Sequence, residues 1–142
     1  MNDDLNKLYP AVLKAHATAP YHFEKKENTD VAIKAYNPIC GDRFEMYVNM
    51  KGDQIGALYF QGFGCSVSKA STSVLAKLLE GKTVQEALQL CSAFLSFITN
   101  ESATAALPEE LLAFSGVRDF PERLDCAALS WREMKKFLES RN

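Results

Sequence analysis

Arg43-Phe44-Glu45-Met46-Tyr47-Val48-Asn49-Met50-Lys51-Gly52-Asp53-Gln54 is the stretch on which the fold turns. Phe44, Met46, Val48 and Met50 alternate with Arg43, Glu45, Tyr47 and Asn49. A period of two puts the first set on one face of a half-buried strand and the second set on the other. Lys51-Gly52-Asp53-Gln54 reads as a hairpin turn, and a third strand follows from about Ile55 to Gln61. Upstream, Val31, Ile33 and Ala35 share one face of another short strand. Three short strands joined this closely predict an antiparallel meander.

The flanks of this sheet read as helices. Leu5, Leu8, Tyr9, Val12 and Leu13 recur at helical spacing. Pro10 fits there only in a first turn capped by Asn6, or at a kink. Thr18 to Asp30 is mostly polar, contains Pro20 and reads as a loop. Gly62-Phe63-Gly64-Cys65 ends the sheet, its glycines allowing a sharp turn and leaving room beside the cysteine. Val67, Ala70, Val74, Leu75, Leu78 and Leu79 then mark a helix that stops at Gly81. Thr83-Val84-Gln85-Glu86 is a capping box. It opens a helix with Val84, Ala87, Leu88, Cys91, Phe94, Leu95 and Ile98 on one stripe. Pro108 suits the first position of a short helix ending before Gly116, and Pro121 opens the last helix. The apolar positions of that helix include Leu124, Ala128, Trp131 and Leu138, with Trp131 expected in the core.

Length and composition bound the rest. A chain of 142 residues is expected to form one domain, residues 1–142. Its 47% apolar and 24% charged residues are those of an ordinary globular protein. A net charge of −2 with no basic stripe gives nothing that favours nucleic acid. No apolar run is long enough to span a bilayer. Met1-Asn2-Asp3-Asp4 lacks the basic-then-apolar layout of a signal peptide, so the chain is read as cytoplasmic, with no membrane partner.

In that compartment four cysteines are not a disulfide framework. Cys91 sits within an apolar stripe and reads as a buried core thiol. The other three differ. Cys40 lies in Asn37-Pro38-Ile39-Cys40-Gly41-Asp42, a turn between two strands, and a strand-like pair at i and i+2 points Cys40 and Asp42 to one side. Cys65 directly precedes a helix, and Cys126 falls within two turns of Pro121. Both are therefore expected to ionise readily near helix N-termini. Three thiolates and a carboxylate suit tetrahedral zinc, and thiolates also hold iron–sulfur clusters. The spacing itself leaves two readings open: one shared site, or three unrelated cysteines. His16 and His22 are expected to be surface or capping residues rather than ligands. Arg118 and Arg123 read either as counter-charges to a metal site or as solvated arginines. Phe63 reads as a partner contact or a packed aromatic.

Three segments carry a resemblance. Asn37-Pro38-Ile39-Cys40-Gly41-Asp42, Phe60-Gln61-Gly62-Phe63-Gly64-Cys65-Ser66-Val67-Ser68-Lys69-Ala70-Ser71 and Arg123-Leu124-Asp125-Cys126-Ala127-Ala128-Leu129-Ser130-Trp131 resemble, in order, the signature blocks of the IscU/SufU family, also called the NifU N-terminal domain family. The resemblance implies an α+β fold, a three-stranded antiparallel sheet with helices packed around it. It also implies work in iron–sulfur cluster assembly. By matching positions, the implied ligands are Cys40, Asp42, Cys65 and Cys126, with Cys40 the sulfur acceptor. The implied partner is a pyridoxal-phosphate cysteine desulfurase that hands over persulfide sulfur. A downstream assembly complex or apo-protein receives it. Such a chain is a sulfurtransferase-like carrier rather than a conventional enzyme.

Within the family the chain looks more like SufU. Cys126 lies 61 positions after Cys65, a longer span than in IscU, and residues 101–114 are read as part of the insertion. Gly116-Val117-Arg118-Asp119-Phe120-Pro121-Glu122-Arg123 resembles the SufU approach to the last cysteine, and the Leu-Pro-Pro-Val-Lys chaperone segment of IscU is missing. IscU carries histidine just before that cysteine and SufU usually a basic residue, whereas this chain has Asp125. SufU-like members bind zinc and accept sulfur. IscU-like members assemble a [2Fe–2S] cluster on the same residues. The expected function is therefore a zinc-bound sulfur acceptor, the alternatives being a cluster scaffold, with iron in the site, or a structural zinc domain.

Overall fold

The computed structural model describes residues 11–39, 41–99 and 107–141. Expectations that fall on Asn6, Pro10, Cys40 or residues 101–106 lie outside these. The described elements run in the order α1 (Ala11–Thr18), β1 (Val31–Asn37), β2 (Asp42–Lys51), β3 (Gln54–Phe63), α2 (Ser66–Leu79), α3 (Val84–Thr99), α4 (Glu109–Leu112), a 3₁₀ segment (Ala113–Asp119) and α5 (Pro121–Arg141). The three strands form the expected antiparallel meander in the order β1-β2-β3. Only Gly52 and Asp53 separate β2 from β3, and Gly52 takes the left-handed conformation (φ +65°) that so tight a connection favours.

One face of the sheet is buried. Ile33 and Ala35 of β1, Phe44, Met46 and Val48 of β2, and Ile55, Leu58 and Phe60 of β3 all point into the core. Ile55 and Leu58 are three apart and still share a face. A register shift at Asn49/Met50 accounts for this, because one extra residue in β3 flips the alternation. Tyr47 was expected on the polar face and is nevertheless buried, its hydroxyl donating to Glu45 Oε1 at 2.8 Å. The helices cover the buried face, with Val74, Leu75 and Leu79 of α2, Phe94 and Ile98 of α3, and Trp131, Met134 and Leu138 of α5 filling it.

The capping box forms as written: Glu86 N–H donates to Thr83 Oγ1 at 3.1 Å, and Thr83 N–H to Glu86 Oε1 at 3.0 Å. Pro108 stands at the N-cap of α4 rather than inside it, and the chain continues through Gly116 as 3₁₀ helix instead of ending before it. Hydroxyls bind α2 to α5. Ser71 Oγ donates to Ala127 O at 2.6 Å, Trp131 Nε1 donates to Ser71 Oγ at 2.9 Å, and the Thr72 and Ser130 hydroxyls meet at 2.7 Å. Ala70, Ala127 and Ala128 leave the space for this approach.

The two edges of the sheet differ. Beyond β3, Phe60 N–H donates to His22 O and Ile55 N–H to Lys82 O, so neighbouring loops pair with that edge. Among the described residues, nothing pairs with the outer edge of β1. Its side chains Ala32, Lys34 and Tyr36 are exposed there.

Cys91 is fully buried in the α3 stripe, and burial pushes its thiol up to about 12. Cys91→Ser is expected to cost about 1–3 kcal/mol, the penalty of a buried hydroxyl. Metal content should stay at the wild-type level. Thermal melts and elemental analysis of the variant check both statements, and loss of metal would move Cys91 into the site.

Candidate metal centre

The site grows from three chain ends that the fold brings together. Asp42 is the first residue of β2, Cys65 is the N-cap of α2, and Cys126 lies in the second turn of α5. Their ligand atoms all lie within 4.8 Å of one another. Cys40, the fourth expected member, lies outside the described residues. Its chain neighbour Gly41 lines the same cleft, and Gly41 N–H donates to Asn37 O at 2.8 Å. Ile39 N–H donates to Asn37 Oδ1 at 3.1 Å, the local bond that asparagine supplies at the start of a turn.

Asp42 is only 1% exposed. Its Oδ1 accepts from Cys65 N–H at 3.0 Å, while Oδ2 is buried with no hydrogen-bond partner among the described residues. A buried carboxylate oxygen left unpaired is costly unless a cation or donor reaches it. Cys65 Sγ accepts from Ser68 N–H at 3.4 Å, so the thiol serves as the helix cap. The cleft has a volume of about 390 Å³ and is also lined by Phe63, Gly64, Glu122 and Arg123.

The two thiols do not ionise alike. Cys65 is pulled down to about 6, chiefly by the hydrogen bond from Cys126 and further by those from Ser68. Cys126 moves the other way: its bond to Cys65 favours keeping the proton, and burial and the nearby charges of Cys65 and Asp42 add to this. The expectation of two ready thiolates is therefore corrected to one. The pair favours one negative charge over two, because a charge on one thiol disfavours a charge on its neighbour. Two sulfurs and an orphaned carboxylate oxygen at this separation fit a thiophilic, tetrahedral cation such as zinc, or iron.

Other expected residues sort themselves by position. Arg123 lines the cleft, but Arg118 does not. Its Nε donates to Phe97 O at 2.8 Å and its guanidinium lies 4.2 Å from the Phe97 ring centre. Asp125 is exposed and pairs with Arg132 at 3.3 Å, so the acidic residue at this position adds nothing to the donor set. Phe63 is 65% exposed at the mouth of the cleft.

His16 is not a surface residue. Tyr21 N–H donates to Ser73 Oγ at 2.8 Å, and the Ser73 hydroxyl in turn meets His16 Nδ1 at 2.6 Å, which leaves Nε2 to donate to Glu110 Oε2 at 2.7 Å. His22 is half-buried between the Tyr21 and Tyr59 rings. Neither histidine belongs to the donor group.

Residues 8–139 match the model of the NifU-like N terminal domain. The chain is 36% identical over 138 residues to the iron-sulfur cluster assembly scaffold protein IscU of Streptococcus pyogenes serotype M1, covering 95% of this chain and 85% of that one. It is 31% identical over 136 residues to the zinc-dependent sulfurtransferase SufU of Bacillus subtilis strain 168, covering 95% and 92%. Among solved structures, a putative iron-sulfur cluster assembly scaffold protein for the SUF system from Fervidobacterium islandicum AW-1 superposes with a TM-score of 0.81 at 27% identity, over 92% of this chain and 96% of that one. The chain belongs to the NifU-like N-terminal domain family, the IscU/SufU proteins of iron–sulfur cluster assembly. No helix among the described residues is long and apolar enough to cross a membrane.

Proposed function

We propose that this chain, as one domain over residues 1–142, is a zinc-bound sulfur acceptor in iron–sulfur cluster assembly. The observation that carries the reading is the buried Asp42 carboxylate, with one oxygen unpartnered, beside the Cys65 and Cys126 thiols. Cys40, Asp42, Cys65 and Cys126 are the proposed ligands. Zinc, when bound, keeps cysteine sulfurs as thiolates at neutral pH.

The sulfur step belongs to Cys40. Its thiolate attacks the outer sulfur of a persulfide carried by a cysteine desulfurase. The new bond leaves Cys40 as the persulfide, the old S–S bond breaks, and the desulfurase cysteine departs as its thiolate. The persulfide proton stays on the transferred sulfur, so neither oxidant nor reductant is consumed. Exposed Ile39 and Phe63, 93% and 65% accessible, offer the pyridoxal-phosphate desulfurase an apolar contact beside the cleft. A downstream assembly complex or apo-protein then takes the sulfur. The proposed setting is the cytoplasm, where thiols stay reduced.

Chain purified without oxygen is expected to carry about one zinc per molecule, measured by elemental analysis. Iron and sulfide in place of zinc would favour the second reading, a scaffold on which a [2Fe–2S] cluster is built. The 36% identity to the S. pyogenes protein named as a scaffold supports that alternative. Supporting the first are the 31% identity to a protein named as a zinc-dependent sulfurtransferase and the absence of histidine before Cys126.

A further inference from the structure

We propose that Gly64 is a positioning residue that makes Asp42 present a single carboxylate oxygen, Oδ2, to the metal. The inference rests on the metal-site reading above and concerns how the carboxylate is held. Asp42 Oδ1 is already committed, since it accepts from Cys65 N–H at 3.0 Å. Oδ2 is the buried oxygen without a hydrogen-bond partner among the described residues. The Cys65 N–H bond holds the carboxylate in this pose, and the missing side chain at Gly64 leaves it the room. A Cβ there would stand 2.6 Å from Asp42 Oδ1, 2.6 Å from Ser68 Oγ and 2.9 Å from Phe44 Cε2.

These neighbours are not equally free to yield. Phe44 is 1% exposed within the core. The Ser68 hydroxyl donates to Cys65 O at 3.0 Å and follows α2. The Asp42 carboxylate is as buried as Phe44 but lines the cleft, so it is the neighbour with room to rotate. That rotation breaks the Cys65 N–H bond and turns Oδ2 away from the two sulfurs.

Gly64 differs in this from its neighbour Gly62. Gly62 has φ +138°, and a Cβ there would strike the backbone of Arg43 and Phe44, so its role is to let β3 pair with β2. The Gly64 backbone is not left-handed. Alanine meets no conformational penalty of that kind there, and its contacts are with side chains. The same geometry links two ligands: the oxygen that is not offered to the metal holds the backbone of Cys65, whose sulfur is offered. Partners that orient a ligand in this way typically change metal affinity by roughly 10- to 100-fold when removed.

The test uses the full chain in competition with a chromogenic chelator for zinc(II). Gly64→Ala is expected to weaken zinc affinity roughly 10- to 100-fold, and Asp42→Ala, which removes a ligand outright, by at least as much. Combining the two is expected to weaken it by clearly less than the product of the single effects, because the alanine methyl acts in part through the carboxylate while its contacts with Ser68 and Phe44 remain. Wild-type affinity in Gly64→Ala overturns the proposal. So does an equal loss in the presence and absence of Asp42, which would place the effect on the turn at Cys65. Should Gly64→Ala fail to fold, as judged by circular dichroism, the cycle is repeated in Ser68→Ala, which removes one of the close contacts, and the same coupling is expected. A wild-type chain that takes up no zinc overturns the site reading together with this inference. Zinc uptake without coupling between Gly64 and Asp42 overturns the inference alone.

Discussion

Cys40→Ser is expected to abolish sulfur uptake from a cysteine desulfurase, a loss of at least about 100-fold, because a neutral hydroxyl does not replace a thiolate nucleophile. The variant keeps Asp42, Cys65 and Cys126, whose ligand atoms lie within 4.8 Å of one another, so residual metal binding is expected to persist. The two properties therefore separate. Desulfurase, cysteine and mass spectrometry of each cysteine read the first, and elemental analysis reads the second. Normal sulfur loading of the variant would leave Cys40 a ligand at most and end the proposed mechanism.

Stripping the metal is expected to lower the melting temperature by roughly 10–20 °C. A ligand present at about a thousand times its dissociation constant adds about 4 kcal/mol to the folded state, and each kcal/mol moves a chain of this size by a few degrees. The effect follows from which elements the site joins. Asp42 starts β2, Cys65 caps α2 and Cys126 sits near the start of α5, three elements distant in sequence. Without a cation, Asp42 Oδ2 is buried with no partner among the described residues, and a second negative charge on the thiol pair is disfavoured. Melts with and without chelator measure the difference, and an unchanged midpoint would show that the site carries no folding free energy.

Local signals were the legible ones. The alternation from Arg43 to Met50 set the strand and its buried face, and Thr83 with Glu86 set the start of α3, because each depends on contacts a few residues apart. The positions of Asp42, Cys65 and Cys126, which the fold brings together, were legible as motifs. Their ionisation was not, since the raised Cys126 depends on Cys65 and Asp42 arriving beside it. His16 shows the same limit more sharply. Its partners Ser73 and Glu110 stand 57 and 94 positions away, so nothing near it marks a buried histidine. Arg118 is neither the counter-charge nor the solvated arginine that its sequence allowed, because the 3₁₀ turn aims it at the end of α3. Asp125 breaks the family pattern harmlessly for the donor set, because its helical position faces solvent and Arg132.

The two sheet edges differ in what they offer an incoming strand. Loops pair with the β3 side, so among the described residues the open backbone groups of the sheet lie along β1. β1 reads Val-Ala-Ile-Lys-Ala-Tyr-Asn, a short segment whose β-branched and aromatic residues would otherwise template aggregation. Lys34 stands exposed at its centre. Any strand that docked there would have to desolvate that ammonium group or stack it against its own copy, so one lysine acts as gatekeeper for the open edge.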